Sequence, residues 1–323
     1  MIGLRCLAVA SLLAACCLVP LRVQADDVLR FASTQAGWDN SVVPLGERAG
    51  FFRKKGLDVQ VSFTDGSSAT LQALIAGGVD IGVVSVPLFL GAVVKGAPVK
   101  MITANFTGAS DILWYARADN RIAGLKDVTQ DTKLGYATPG SSNYILLSAL
   151  MNQYGVKGEL VATGGASATM LQVMARQVDI GYDGNGGLGV PEFEHGDVRV
   201  IALGSELALM KHVTARGLVV TAETLAKRRD VLARFVQAYQ ETVDWMFRDA
   251  GALQQYAEMN HAPLADAKRV VEQMYPERAM QLGDVLGVEV SVAQGVQFKR
   301  IARPPTAEEI TNAFDIVWKP ARP

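Results

Sequence analysis

Hydroxyl and amide side chains stand at the predicted starts of several helices in this chain. They are Ser67, Ser68, Ser85, Ser141, Ser142 and Asn143. A helix start presents backbone N–H groups and partial positive charge, so these positions can bind an oxyanion or a carbonyl without an arginine. The alternative is that each side chain only caps its own helix. The pattern therefore predicts a binding site for a small polar solute, with capping as the competing interpretation.

Two further residues could select the solute. Trp38 lies in a polar loop over 34–40, where its ring could stack on a solute or pack beneath the loop. Asp183 follows a predicted strand and could accept a hydrogen bond from a solute amine or lie in a solvated turn. Both alternatives stay open for each residue.

The predicted site has few charged residues. Asp39 and Asp183 lie near it without an assigned arginine, which favours a zwitterion or a heterocycle over a simple anion such as nitrate. This inference would weaken if Arg117 or Arg216 reached the site from another part of the chain.

The residues do not predict catalysis. His195, His212 and His261 are scattered along the chain, and no G-x-S-x-G segment is present. Serines at helix starts bind a solute but do not attack it unless a base activates them. We therefore expect no catalytic residue, no metal site and no cofactor.

An internal repeat indicates two related lobes. The segment V-D-I-G occurs at 79–82 and again at 178–181, and residues 66–82 match residues 165–181 at nine of seventeen positions without a gap. Each copy is predicted to be a loop, a helix and a strand. Independent use of a common helix–strand unit is the alternative interpretation.

The flanks of the two copies follow the same order of elements. Predicted strands cover 29–33, 57–63, 134–137 and 159–163, and predicted helices cover 42–55 and 143–154. Gly56 and Gly155 are expected to end the two helices. Alternation of strands and helices predicts an α/β fold in which each lobe is a mostly parallel sheet flanked by helices.

After about residue 220 the pattern becomes helical. Predicted helices cover 222–249, 252–260, 264–275 and 284–301. We expect them to cover the first lobe, so that residues 26–118 and 212–323 form lobe 1 and residues 119–211 form lobe 2. No flexible linker separates the lobes, so the two crossing segments are expected to act as a hinge.

Residues 1–25 have the pattern of a signal peptide for export. Arg5 supplies a positive charge, an apolar run covers 7–21, and small residues precede residue 26. The alternative is lipoprotein processing at the Leu-Ala-Ala-Cys segment, which would leave Cys16 as a lipid anchor. Since all three cysteines lie in this region, cleavage before residue 26 would leave no thiol and no disulfide. We expect a periplasmic protein.

The charge balance points to a small partner. The chain has 31 basic and 32 acidic residues, which argues against a nucleic-acid surface. We expect a small-molecule solute, no nucleic acid and a monomeric protein.

Three segments resemble one transport family. They are ERAGFFRKKGLDV at 47–59, ALIAGGVDIG at 73–82, and LGY followed by GSS within 134–142. They resemble the substrate-binding proteins of ABC importers that take up alkanesulfonates, taurine, nitrate and thiamine pyrimidine precursors. The resemblance implies a two-lobed periplasmic-binding-protein (venus-flytrap) fold with two hinge crossings. It also implies that the lobes close over a small solute and present it to an ABC permease in the membrane.

The resemblance is least direct near Asp183. The family often has a tryptophan, an acidic residue and a proline after the second V-D-I-G, where this chain is glycine-rich over 184–189. The expected solute is a sulfonate, an amine-containing metabolite or a heterocycle.

Two other functions stay open. The same fold houses enzymes of small-metabolite biosynthesis, including a pyrimidine synthase related to this group, but its cysteine-rich motif is missing here. A ligand-sensing module could also use the two lobes without a permease.

Overall fold

Two five-stranded sheets form the centre of the structure. A computed structural model describes residues 26–34, 37–139 and 141–320, so the predicted signal peptide and Cys16 lie outside the described residues. The strands are β1 (Asp27–Ser33), β2 (Leu57–Phe63), β3 (Ile81–Ser85), β4 (Val99–Thr107), β5 (Leu113–Arg117), β6 (Lys133–Tyr136), β7 (Glu159–Ala162), β8 (Ile180–Asp183), β9 (Val198–Leu203) and β10 (Thr214–Thr221). Their orders are β2-β1-β3-β10-β4 in the first sheet and β7-β6-β8-β5-β9 in the second.

Helices flank both sheets, as the strand–helix alternation predicts. They are α1 (Val42–Ala49), α2 (Ser67–Ile75), α3 (Val86–Val94), α4 (Ser142–Tyr154), α5 (Ala166–Met174), α6 (Pro191–Glu194), α7 (Ala222–Arg248), α8 (Ala250–Met259), α9 (Leu264–Met274), α10 (Val288–Gln297) and α11 (Ala307–Ala313). Within the described ranges, no helix combines the length and the apolar character needed to cross a bilayer.

The two sheets have equivalent topology. In each, three strands run parallel, and a strand that arrives from the other half of the chain pairs antiparallel with the third of them. These incoming strands are β10 in the first sheet and β5 in the second. The chain therefore passes between the sheets twice, between β4 and β5 and again between β9 and β10.

The position of β5 corrects one expectation about the first crossing. A boundary at residue 118 assigns Leu113–Arg117 to the first lobe, but β5 pairs with β8 and β9 of the second sheet. The change of sheet therefore lies between Thr107 and Leu113. The sequence pattern of β5 could not predict which sheet it joins, because an apolar strand fits either sheet equally well.

The repeated V-D-I-G segment has the same structural role in both sheets. The Asp80 carboxylate accepts the Arg30 N–H at 2.9 Å, and the Asp179 carboxylate accepts the Lys133 N–H at 2.9 Å. Asp80 thus joins the start of β3 to β1, and Asp179 joins the start of β8 to β6.

A second pair of contacts also repeats. Thr64 and Thr70 share a hydrogen bond of 2.6 Å between their hydroxyl groups, and Thr163 and Thr169 share one of the same length. Each pair ties the turn before a helix to that helix. The prediction of two structurally related copies is confirmed.

The first predicted helix is shorter than expected. α1 ends at Gly50, whose φ of 77° is left-handed, and a short 3-10 turn over Arg53–Lys55 then ends at Gly56. This bend buries Phe52 completely, with its ring centroid 5.2 Å from that of Phe235 on α7. Gly155 ends α4 with a φ of 67°, as predicted.

The C-terminal helices cover the first sheet. α7 packs on α1, β4 and β10, and α11 packs on α3 and β4. α10 packs on α3 of the first half but also contacts α4 of the second half. α10 therefore reaches both halves of the molecule.

Candidate functional site

The predicted helix starts face each other across a crevice between the two sheets. A Cβ atom on Gly66, which precedes α2, would lie 3.0 Å from Thr138 Oγ1 and 3.9 Å from Ser141 Cβ. Ser68 Oγ donates a hydrogen bond of 2.5 Å to the Pro139 carbonyl. The start of α2 therefore meets the loop that leads into α4.

On the first-sheet side, Ser67 and Ser85 contact each other. Ser67 Oγ accepts the Ser85 N–H at 3.1 Å, and both residues are buried. Ser85 is the N-cap residue of α3, and Pro87 lies in the first turn of that helix. Two helix starts are thus held together at one corner of the crevice.

On the second-sheet side, Ser141 and Asn143 mainly organise their own loop. Ser141 Oγ accepts the Tyr144 N–H at 3.4 Å as the cap of α4, and it donates to Asn143 Oδ1. Asn143 Oδ1 also accepts the Ala137 N–H at 3.3 Å. The capping interpretation therefore describes the contacts of Ser141.

Ser142 lies at a small cavity in the crevice. Ser85 and Pro87 from α3, Ser142 and Ile145 from α4, and Ser291 and Gln294 from α10 are among its lining residues. The cavity has about 10 Å³ of room, which is enough for roughly one water molecule. A larger solute can therefore enter only when the two halves move apart.

Sequence reasoning missed the contribution of α10 to this cavity. Ser291 is 1% exposed and Gln294 is 5% exposed, although both lie on a helix that was expected only to cover the first lobe. Gln294 Nε2 is buried without a hydrogen-bond partner. No motif marks either residue, so nothing in the sequence could have identified them.

Trp38 packs in the core and does not line the cavity. Its side chain is 1% exposed and lies edge-on to Tyr256 at 4.8 Å and to Phe247 at 6.1 Å between ring centroids. The alternative of packing beneath the loop describes this position. The stacking face that was expected for a solute is covered by aromatic residues of α7 and α8.

Asp183 holds the glycine-rich loop that follows β8. Its carboxylate accepts the N–H groups of Asn185 at 2.7 Å and Gly187 at 2.9 Å. Burial raises the pKa of Asp183, and the two backbone hydrogen bonds oppose that rise. Asp183 is buried, so the alternative of a solvated turn does not describe it, and its role as an acceptor for a solute amine stays a prediction.

The same loop contacts the C-terminal helices. Asn185 Nδ2 donates to Asn260 Oδ1 at 2.8 Å, and the hydroxyl of Tyr275 donates to the Gly184 carbonyl. A Cβ atom on Gly189 would overlap the Asn260 carbonyl oxygen. Glycine at this position therefore permits a close approach between the loop and the end of α8.

Arg216 lies opposite Ser85 in the pairing of β10 with β3, and its side chain forms two buried ion pairs. Its guanidinium lies 2.8 Å from an Asp39 oxygen and 2.6 Å from an Asp111 oxygen, and it stacks 4.8 Å from the Phe106 ring centroid. Burial and the neighbouring Asp111 raise the pKa of Asp39 to about 6, although Arg216 opposes this rise. One cation thus serves two buried carboxylates.

Arg117 is also engaged. Its Nε lies 2.8 Å from Asp119, and its Nη1 donates to the Val173 carbonyl at 3.3 Å.

Among the residues that the structure describes, no group of three or more histidine, cysteine, aspartate or glutamate side chains is arranged to hold a metal ion.

Comparison with solved structures identifies the fold. The alkanesulfonate-binding protein SsuA from Xanthomonas axonopodis pv. citri, bound to MOPS, is similar with a TM-score of 0.75 and 17% identity, covering 92% of this chain and 100% of that chain. The periplasmic aliphatic sulphonate binding protein SsuA from Escherichia coli has a TM-score of 0.69 and 16% identity, covering 92% and 93%.

A nitrate-binding protein has the same fold. The periplasmic nitrate-binding protein NrtA from Synechocystis PCC 6803 has a TM-score of 0.68 and 12% identity, covering 89% of this chain and 84% of that chain. No curated protein sequence is significantly similar to the chain.

A family model confirms the resemblance noted in the sequence. The model described as NMT1/THI5-like matches residues 42–251, which include both sheets' parallel strands from β2 onward and all of α7. The chain therefore belongs to the NMT1/THI5-like family and has the fold of the periplasmic solute-binding proteins.

Proposed function

We propose that the protein is an extracytoplasmic solute-binding receptor of an ABC importer. It captures a small organic solute by closing its two lobes and delivers that solute to a membrane permease. The family supports this proposal, as do solved structures of the same fold whose proteins bind alkanesulfonates, aliphatic sulphonates and nitrate. The expected solute is a sulfonate, an amine-containing metabolite or a heterocycle.

One observation carries the proposal. The starts of α2 and α3 from one sheet and of α4 from the other meet at a single crevice that has a cavity inside it. Helix starts bring backbone N–H groups and partial positive charge to such a place. Open α/β sheets bind their ligands in crevices of this kind, beyond the carboxyl ends of the strands.

The proposed cycle has two conformational steps. In the open receptor the solute binds near Ser67, Ser68 and Ser85, and closure then brings Ser142 to it and excludes water. Ser141, Asn143 and Asp183 act by holding the loops that border the crevice. In this proposal the first lobe comprises residues 26–107 with 214–320, and the second comprises residues 113–203.

Binding without catalysis is part of the proposal. The hydroxyls of Ser67, Ser68 and Ser141 have backbone groups or the Asn143 amide as their hydrogen-bond partners, and none of these is a general base. The three cysteines all lie within residues 1–25, so a cysteine-rich catalytic motif is missing from the rest of the chain.

A ligand screen tests the function directly. The purified protein is heated with sulfonates, amino acids, pyrimidines and aromatic acids, and each compound that raises the melting temperature is measured by calorimetry and small-angle scattering. We expect at least one compound to bind with a dissociation constant near the micromolar range, which corresponds to about 8 kcal/mol. That compound should also reduce the radius of gyration.

Two controls separate the receptor from the alternatives. Mass spectrometry of the bound compound after long incubation should recover it unchanged, whereas a product would indicate an enzyme. Cell fractionation should place the processed protein outside the cytoplasm, in monomeric form by light scattering. An unprocessed cytosolic protein would contradict the receptor function.

A further inference from the structure

The side-chain nitrogen of Gln294 is a buried donor that the described part of the fold leaves without a partner. Its side chain is 5% exposed, and its Nε2 makes no hydrogen bond within the described part of the chain. Buried polar groups are nearly always paired, because an unpaired donor loses its hydrogen bonds to water and gains none in return. The described residues alone give no reason for this side chain to be polar, whereas a group that enters from outside, a water molecule or a solute, would give one.

The position of Gln294 suggests that reason. Its side chain lines the same cavity as Ser85 and Pro87 at the start of α3 and Ser142 at the start of α4. α3 has nine residues and α4 has thirteen, so both starts carry a substantial partial positive charge. Gln294, which carries the unpaired amide donor, and the two helix starts therefore border the same cavity.

The cavity lining carries no negative charge that would repel an electron-rich group of the solute. None of its ten lining residues is charged, so no carboxylate is present there to neutralise a cation. N–H donors and helix starts instead stabilise an oxyanion, such as a sulfonate or carboxylate oxygen. A zwitterionic solute could place its acidic group at this point.

α10 is fixed where it can act on a solute. Just before the helix, the Leu286 N–H donates to Thr214 Oγ1 at 2.9 Å, and the Thr214 N–H donates to the Leu286 carbonyl at 3.0 Å. Thr214 begins β10, the strand that returns from the second sheet. The start of α10 is thus bonded to a hinge crossing, and its side chains face the crevice from a third side.

We propose that Gln294 is a specificity-determining residue whose Nε2 donates a hydrogen bond to an oxyanion group of the solute, held between the starts of α3 and α4. This inference rests on the proposed receptor function and deepens it. Gln294 lies beyond residues 42–251, the part that the family model matches, so a segment outside that match completes the site.

The test uses two substitutions and a matched control on the same helix. Gln294→Met keeps the length of the side chain but removes the amide, and Gln294→Glu replaces the donor with a negative charge. Gln297→Met is the control, because Gln297 ends α10 at an exposed position. The probes are MOPS, methanesulfonate, nitrate and benzoate as oxyanions, with ethylammonium as a cation and uracil as a neutral compound.

The free proteins give the first readout, which needs no ligand. Removing an unpaired buried amide should raise the melting temperature of the Gln294→Met variant by about 2 °C or more. Gln297→Met should leave it unchanged. A lower melting temperature for Gln294→Met would show that the amide stabilises the fold and would overturn the inference.

Binding gives the second readout. We expect at least one oxyanion probe to stabilise the wild type, to bind at least tenfold more weakly to Gln294→Met, and to bind more weakly still to Gln294→Glu. Equal oxyanion binding by wild type and Gln294→Met would overturn the inference, and the receptor function would stand. If no oxyanion probe stabilises the wild type, the inference is overturned, whereas the receptor function is decided by the wider ligand screen.

Discussion

The guanidinium of Arg300 lies over the ring of Tyr144, 4.5 Å from its centroid. Arg300 follows α10, whereas Tyr144 lies in the first turn of α4, so this contact joins the C-terminal segment to the second half of the molecule. Arg300 belongs to the first half, because its carbonyl approaches Gly91 of α3 so closely that a Cβ atom there would overlap it. The pair is therefore a side-chain contact between the two halves of the molecule.

Arg300→Ala should shift the free protein toward open conformations. A cation–π contact contributes about 0.5 to 2 kcal/mol, which changes the ratio of closed to open forms by roughly twofold to thirtyfold. We expect a larger radius of gyration in small-angle scattering and weaker binding of any solute that requires closure.

Arg303→Ala is the matched control for that variant. Arg303 pairs with Glu309 at 2.7 Å within the C-terminal segment and contacts no residue of the second half in the described hydrogen bonds and ion pairs. It should leave the radius of gyration unchanged. If both variants scatter like the wild type, the Arg300–Tyr144 contact does not affect closure.

Substitutions of Ser141 and Ser142 should have different effects on stability and on solute binding, although the two residues are neighbours. Ser141 caps α4, so Ser141→Ala should reduce the free energy of unfolding by about 1 kcal/mol. Ser142 lines the cavity, so Ser142→Ala should leave stability within about 0.5 kcal/mol of the wild type but weaken solute binding.

Urea unfolding and calorimetry measure these two effects independently. Each variant serves as the control for the other, because the two substitutions remove the same hydroxyl group one residue apart. Equal losses of stability in the two variants would contradict the assigned roles.

Much of the fold could be predicted because its signals are local. The alternation of apolar residues gave β2 at its observed bounds, and the repeat predicted the matched turns that Thr64 and Thr163 form in the two halves. Asp80 and Asp179 recur because each accepts a backbone N–H from the neighbouring strand. Such contacts depend on short spacings that the sequence displays directly.

The candidate site was predicted less completely because its contacts are distant in the chain. Trp38 lies in a polar loop, and only the fold brings Phe247 and Tyr256 over its ring. Gln294 looks like an ordinary residue of an amphipathic helix until α10 is placed against α3 and α4. Helix starts were the part that the sequence could locate, since caps and glycines mark them locally.

Asp39 should make the stability of the protein depend on pH. Its pKa is raised from 3.8 to about 6, first by burial and then by the nearby Asp111, so the folded state binds more protons than the unfolded state between these values. The stability from this group is therefore present below pH 3.8 and is lost as the pH rises through 6.

Asp39→Asn should remove that contribution. The free energy of unfolding of the wild type, minus that of the variant, should fall by about 1 to 3 kcal/mol between pH 4 and pH 7 in urea titrations. Asp58→Asn, at an exposed position of β2, is the control and should leave the pH dependence of the wild type in place. If the difference in the free energy of unfolding between the wild type and Asp39→Asn stays constant over this range, Asp39 does not titrate there.

Gly189 allows a close contact between the two halves. Gly196 has a similar backbone conformation without such a contact, so comparing the two sites measures the energetic cost of disturbing the packing at Gly189. Both Gly189, with φ of 68°, and Gly196, with φ of 75°, have left-handed backbones, so alanine at either site costs about 1 kcal/mol from backbone strain. At Gly196 a Cβ atom meets nothing within 4 Å, whereas at Gly189 it overlaps the Asn260 carbonyl oxygen. Only the Gly189 substitution therefore disturbs packing.

Gly189→Ala should thus destabilise the protein by at least about 1 kcal/mol more than Gly196→Ala, because an overpacked contact adds to the strain. The displaced loop carries Asn185, which bonds to Asn260 of the first half, so closure should weaken as well. Urea unfolding and small-angle scattering of the two variants measure both effects. Equal stability of the two variants would mean that the loop moves away from α8 without cost, and that this contact does not hold the halves together.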